Sequence, residues 1–107
     1  MEKVIIGLTE KIEIEGMKII AKIDTGANNN SICKTLAKEL KLGPVIKNIL
    51  IKAPNGSELR PVIKAKLKIH NKTMETTFNI ADRSKMKYSV LIGQKVLKQG
   101  FLIDPTK

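Results

Sequence analysis

Apolar and polar positions alternate along most of this chain with the two-residue period of half-buried β-strands. Residues 4–8 form a short apolar run, and residues 11–15 alternate before Glu15-Gly16 turns the chain back into residues 17–23. This pattern predicts a hairpin whose second strand delivers Asp24. Further on, residues 45–53 and 59–69 flank Pro54-Asn55-Gly56-Ser57, where Asn-Gly tolerates the positive φ angles of a tight hairpin. Asn71-Lys72 turns the chain again into a strand over residues 74–80. Val90-Leu91-Ile92 reads as a fully buried strand stopped by Gly93, Val96 and Leu97 as a short helical turn, and residues 101–103 as a closing strand.

One segment keeps a different period. Ile32, Leu36 and Leu40 recur at every fourth position with Cys33 and Ala37 beside them, and Gly43-Pro44 ends the run. The spacing predicts a helix of about three turns over residues 31–42, with Cys33 as a small core residue on its apolar side. The expected fold is mostly β, a single domain over residues 1–107 with one short helix.

Composition narrows the class. A chain of 107 residues has room for one modest core, and 42% apolar with 28% charged residues is the balance of an ordered globular protein. No apolar run approaches the roughly 20 residues of a membrane span, and the start lacks a leader pattern, so the expectation is a cytoplasmic protein without membrane attachment. Cys33 is the only cysteine, which excludes an intrachain disulfide and suits a reducing compartment. The net charge of +10 raises the question of nucleic acid. Its lysines are scattered singly, as in Lys64-Ala65-Lys66-Leu67-Lys68-Ile69, the pattern of a solvated sheet face. Arginines number only two, Arg60 and Arg83, and aromatics three, so base-reading forks and stacking platforms are scarce.

The candidate chemistry sits where the first hairpin ends, at Asp24-Thr25-Gly26-Ala27. A carboxylate there can act as acid or base, and Gly26 lets the backbone approach it closely. The Thr25 hydroxyl can hydrogen-bond across an interface, and Ala27 leaves room for a ligand. Taken alone, Asp-Thr-Gly is also the ordinary vocabulary of a turn.

The surroundings add a pattern. Asp24-Thr25-Gly26-Ala27-Asn28-Asn29-Asn30-Ser31-Ile32, followed by Leu36-Ala37 and Leu40-Lys41-Leu42-Gly43, resembles the signature of retropepsin-like aspartic proteases. Leu91-Ile92-Gly93 within Val90-Leu91-Ile92-Gly93-Gln94 is similar to the second motif of that family. The Pro54-Asn55-Gly56-Ser57 hairpin occupies the place of its substrate-covering flap. Leu59-Arg60-Pro61-Val62, Asp82-Arg83 and the stretch Met86-Lys87-Tyr88-Ser89 look most like a branch labelled ATP-dependent zinc protease. That label does not suit the residues. His70 and Cys33 are the sole residues of their types, no His-Glu-x-x-His occurs, and no Gly-rich phosphate loop is present.

The resemblance implies a closed β-barrel with a flap hairpin and an aspartic endopeptidase without metal or cofactor. Its catalytic residue is Asp24, supported by Thr25, Gly26 and Ala27, with Pro54, Asn55, Gly56 and Ser57 over a peptide or protein substrate. One carboxylate per chain implies a homodimer, since the chemistry needs two that share a proton. Retroviral relatives place an Asp–Arg ion pair where Asn28 and Gln94 stand here, so the dimer is expected to be weaker or to use other contacts, such as Asp82 and Arg83. Two other readings are a peptide-binding dimerisation module of the same fold that does not cleave, and a basic β domain on nucleic acid.

Overall fold

Turn chemistry decides the first pairing. A computed structural model describes residues 2–53 and 56–107, and in it β2 (Thr9–Ile14) and β3 (Met17–Ile23) form the expected antiparallel hairpin. Glu15 and Gly16 carry φ angles of 48° and 84°, the two positive values a twist-matched two-residue turn requires. Ile12, Ile14, Ala21 and Ile23 point inward and are buried, while Lys11, Lys18 and Lys22 face water. A second hairpin joins β6 (Gly56–Ile69) to β7 (Lys72–Ala81), and β5 (Lys47–Ala53) pairs with the first half of β6.

These strands close on themselves. With β4 (Asn30–Cys33) and β8 (Val90–Ile92), the order runs β2, β3, β8, β4, β7, β6 and back to β2, a closed barrel of six strands with β5 attached outside the ring. Closure removes sheet edges and gives every inward side chain an apolar neighbour. Isoleucine is the commonest core residue, as at Ile12, Ile32, Ile63 and Ile92, packed with the rings of Phe78 and Phe101. Each such fully buried side chain contributes roughly 2 kcal/mol through apolar burial. Pairing along β6 changes by segment: residues 56–61 pair with β5 alone, Val62 onward pairs with β7, and residues 67–69 pair with β2 as well.

The expected helix over residues 31–42 is corrected. Ser31, Ile32 and Cys33 belong to β4, which runs parallel to β7 and antiparallel to β8, and the helix α1 is only Lys34–Glu39. Ile32 is fully buried between those two strands, and a ladder on both sides satisfies more backbone groups than one further helical turn. Its four-residue distance from Leu36 belongs to the barrel core rather than to a helix face. Cys33 accordingly ends a strand, where it is buried as expected. The short helical turn after Gly93 is α2 (Gln94–Leu97). The strand expected from residue 45 begins at Lys47, leaving Val45 and Ile46 exposed. Among the described residues no helix is long and apolar enough to cross a membrane.

Outside the barrel, β1 (Val4–Ile6) runs parallel to β9 (Phe101–Ile103). The outer edge of β1 is capped: Lys107 Nζ donates to the Ile5 carbonyl at 2.6 Å and lies 3.9 Å from the Glu10 carboxylate. The Asp104 carboxylate shapes the turn that brings Lys107 there, accepting the Thr106 hydroxyl at 2.6 Å and the Thr106 N–H at 2.9 Å. Those bonds hold the Asp104 carboxyl below the ordinary carboxylate range. A depressed folded-state value means that the stabilisation is complete above the unfolded carboxylate's value, about pH 4, and is lost as pH falls through the folded value. Asp104→Asn is therefore expected to lower the melting temperature slightly at pH 7, with the difference from the wild type closing in strong acid. A difference that persists unchanged at low pH would contradict this account.

Candidate active site

The candidate carboxylate is placed by backbone pairing. Ile23, the last residue of β3, lies opposite Ile92 of the parallel strand β8, and its N–H donates to the Leu8 carbonyl at 2.9 Å. The Asp24 N–H then donates to Ile92 O at 2.9 Å, which carries the pairing one residue into the loop. Beyond it the chain folds over its own side chain: Gly26 N–H donates to Asp24 Oδ1 at 2.9 Å and Ala27 N–H to Asp24 O at 3.3 Å. Asp24 is half-buried, whereas Thr25 and Gly26 are exposed.

Gly93 supports this loop from behind. Its φ of −107° is open to any residue. A Cβ there, however, would stand 2.5 Å from Asn29 O and 2.8 Å from Ala27 O, so glycine is required for close approach. Gln94 and Lys95 donate their N–H groups to Ala27 O at 2.8 Å and Asn28 O at 3.1 Å, and Gln94 Nε2 donates to Thr25 O at 2.6 Å. Gln94 is thus occupied within its own chain rather than by Asn28, which is exposed.

Beside Asp24 opens a cleft of about 510 Å³. Gly26, Ala27 and Leu91 line its floor, Leu50, Ile51 and Lys52 come from β5, and Arg60 and Arg83 supply guanidinium groups. Among the described residues its lining contains no carboxylate. Arg83 donates from Nε to Tyr88 O at 3.0 Å, and burial, then the nearby Arg60 charge, push it down from its ordinary value. Arg83 therefore does not pair with Asp82, whose carboxylate instead takes the Ser84 hydroxyl at 2.8 Å and N–H at 3.1 Å. Cys33 is a free, buried thiol at the end of β4. Burial pushes its thiol up, but the N–H groups of Thr35, Arg83 and Leu36 outweigh this and hold it below its ordinary value. Among the described residues no three His, Cys, Asp or Glu side chains converge as metal ligands would.

A buried polar network ties the cleft wall to the Asp24 loop. Asn30, Ser31 and Asn79 are the buried polar residues among those described. Asn30 Oδ1 accepts the Gly93 N–H at 2.9 Å, and its Nδ2 donates to Thr77 O at 3.1 Å. Asn79 Nδ2 donates to Asn30 O at 2.9 Å, while its Oδ1 accepts Ser31 Oγ at 2.9 Å and Arg60 Nη1 at 3.1 Å. A buried amide costs free energy unless its bonds are made, and these are made.

Of the residues singled out in the sequence, Gly26, Ala27 and Leu91 line the cleft, Ile92 is in the core, and Gly93 backs the loop. Gly56 and Ser57 open β6 at the exposed end of the β5–β6 hairpin, and Pro54 and Asn55 lie outside the described residues. Arg83, singled out with Asp82 as a contact, lines the cleft, whereas Arg60, Ser31 and Asn79 were not anticipated there. The available signal was that the chain's only two arginines, in a lysine-rich sequence, both reach one cleft. Gly93→Ala is expected to cost about 3 kcal/mol of stability by forcing the loop away, read as a lowered denaturant midpoint; an unchanged midpoint would contradict the close contact.

Comparison with known proteins agrees with this geometry. The fold is similar to that of Lpg0085, a Legionella pneumophila protein of unknown function, with a TM-score of 0.70 at 19% identity over 97% of this chain and 95% of that one. It is also similar to the simian foamy virus (mac) protease, with a TM-score of 0.65 at 20% identity over 84% and 91% of the two chains. The EIAV protease, solved with the inhibitor HBY-793, gives a TM-score of 0.72 at 19% identity over 84% of each. No curated protein matches the sequence. The model of one family, described as retropepsin-like aspartic endopeptidase RimB, matches residues 30–107, a stretch that begins after the Asp24 loop and so does not depend on it. With a retropepsin-like barrel and a family match over most of its length, the chain belongs to the RimB-like family.

Proposed function

We propose that this protein is an aspartic endopeptidase, active as a homodimer in which Asp24 of each copy meets its mate. The observation that carries this reading is the placement of Asp24, held by the backbone at the end of β3 in the loop whose Gly26 and Ala27 line the cleft. Two carboxylates about 3 Å apart cannot both ionise cheaply, so the pair holds one proton between them. One member then takes a proton from a water that attacks the peptide carbonyl, and the other protonates the carbonyl oxygen. The tetrahedral adduct is not bonded to the enzyme; it collapses as the C–N bond breaks and the leaving amine takes a proton from the pair. An extended peptide would lie between the β5–β6 hairpin and the Asp24 loop, adding its backbone to theirs. Thr25, exposed beside Asp24, would bond across the two-fold axis of this dimer. A reducing, cytoplasmic setting suits the single free Cys33.

Charge points to a substrate class. Lys52, Arg60 and Arg83 line the cleft without an acidic residue among the lining, so acidic side chains near the scissile bond are favoured. A second reading, a dimeric peptide-binding module without turnover, draws on Gln94, whose amide is occupied by Thr25 O in its own chain and leaves Asn28 uncharged and alone.

Cleavage of an unstructured polypeptide, followed by mass spectrometry across acidic to neutral pH, tests the reading. Wild type is expected to cleave, preferring sites near Glu or Asp, and Asp24→Asn to lose at least about a thousandfold in rate. Activity per chain is expected to fall on dilution as the dimer dissociates. Equal cleavage by wild type and variant would rule out Asp24 as the catalytic group; absence of cleavage by a wild type shown to be dimeric favours the binding module.

A further inference from the structure

Resting on the acid-selective reading of the cleft, we propose that Asn79 is the positioning residue that aims Arg60 at the substrate carboxylate. Arg60 lies on β6 in a row of outward-facing positions, but it does not extend into water as Lys64 does. Its side chain folds back on β7, where Nη1 donates to Asn79 Oδ1 at 3.1 Å. Asn79 is only 3% exposed and cannot turn to suit the arginine. Its Nδ2 is committed to Asn30 O at 2.9 Å, and its Oδ1 also takes the Ser31 hydroxyl at 2.9 Å. Turning the amide over would set its NH₂ group against the guanidinium and break both other bonds. The acceptor that Arg60 meets is therefore fixed by β4 and β7 before any substrate arrives.

The other edge of the guanidinium meets only an exposed carboxylate. Nε and Nη2 point together at Glu58 Oε2, at 3.4 and 3.3 Å. Those distances are long for a charge-assisted pair, and the Glu58 side chain is 60% exposed, so water competes strongly for it. Glu58 marks the position of a carboxylate in front of the fork and is readily replaced by one carried on a peptide. Arg83 supplies a second positive charge close by, which makes the empty fork less comfortable and the occupied one more favourable. Holding the fork in place in advance removes rotamer freedom that binding would otherwise have to remove.

The test is binding, so that it stands apart from turnover. A fluorescent peptide carrying one glutamate among neutral residues, and its glutamine counterpart, are titrated by anisotropy with the Asp24→Asn protein, which is expected not to cleave them. The glutamate peptide is expected to bind roughly tenfold more tightly, and Arg60→Ala to abolish that discrimination. Asn79→Ala is expected to remove most of it, and to remove nothing further when Arg60 is already alanine. Additive losses in the double variant would show that Asn79 acts only on the fold and would overturn the proposal. So would equal binding of the two peptides by the parent protein. Arg60→Lys, a change at a partly exposed site, carries the test if Asn79→Ala does not fold: lost discrimination supports aiming, whereas full discrimination by a lysine overturns it. Glutamate preference without cleavage by the wild type would sink the peptidase reading and leave this proposal intact; cleavage without preference would do the reverse.

Discussion

Ile23 and Ile92 face each other where β3 and β8 run parallel, and the bond from the Asp24 N–H to Ile92 O extends that pairing past the end of the strand. Everything at the site is positioned from this point. Because Asp24 is fixed there, the loop that follows must pass directly over the next residue of β8, which is why Gly93 can carry no side chain. The same close approach brings the α2 N–H groups to the loop carbonyls. A parallel pair of this kind needs a long crossover, and the intervening chain supplies it while building β4 through β7, the rest of the barrel.

How much of this was legible in the sequence follows from distance along the chain. Hairpins were readable because their turns announce themselves: Glu15-Gly16 sits at the predicted turn, and strand β3 has the predicted bounds. Asp24 was readable because its tetrapeptide is contiguous. The helix was misread at its start because Ile32 satisfies two patterns at once, a four-residue spacing to Leu36 and a place between β7 and β8. Local periodicity cannot decide between them, and long-range pairing did. Arg60 and Asn79 meet because the β6–β7 register puts Val62 opposite Asn79; the turn between Ile69 and Lys72 sets that register, but the contact lies far along the hairpin from it.

The charge of the molecule separates into two kinds. Lysines spread over the outer sheet face, where several stand opposite or beside acidic residues, as Lys64 does with Glu75 at 3.5 Å in a well-exposed pair worth little. Arginines appear where direction matters. A guanidinium has a planar fork that can be tied on one edge and offered on the other, and an ammonium has no such division. The net charge is thus a property of the whole surface, whereas the positive charge of the cleft comes from Lys52, Arg60 and Arg83.

The segmental pairing of β6 has a mechanical meaning. Residues 56–61 are bonded to β5 alone, Pro61 has no N–H to offer, and at Val62 the strand enters the ring. Beyond that joint the strand pairs only with β5, so the bond from Arg60 Nη1 to Asn79 Oδ1 ties this outlying part of β6 to β7, a strand of the ring.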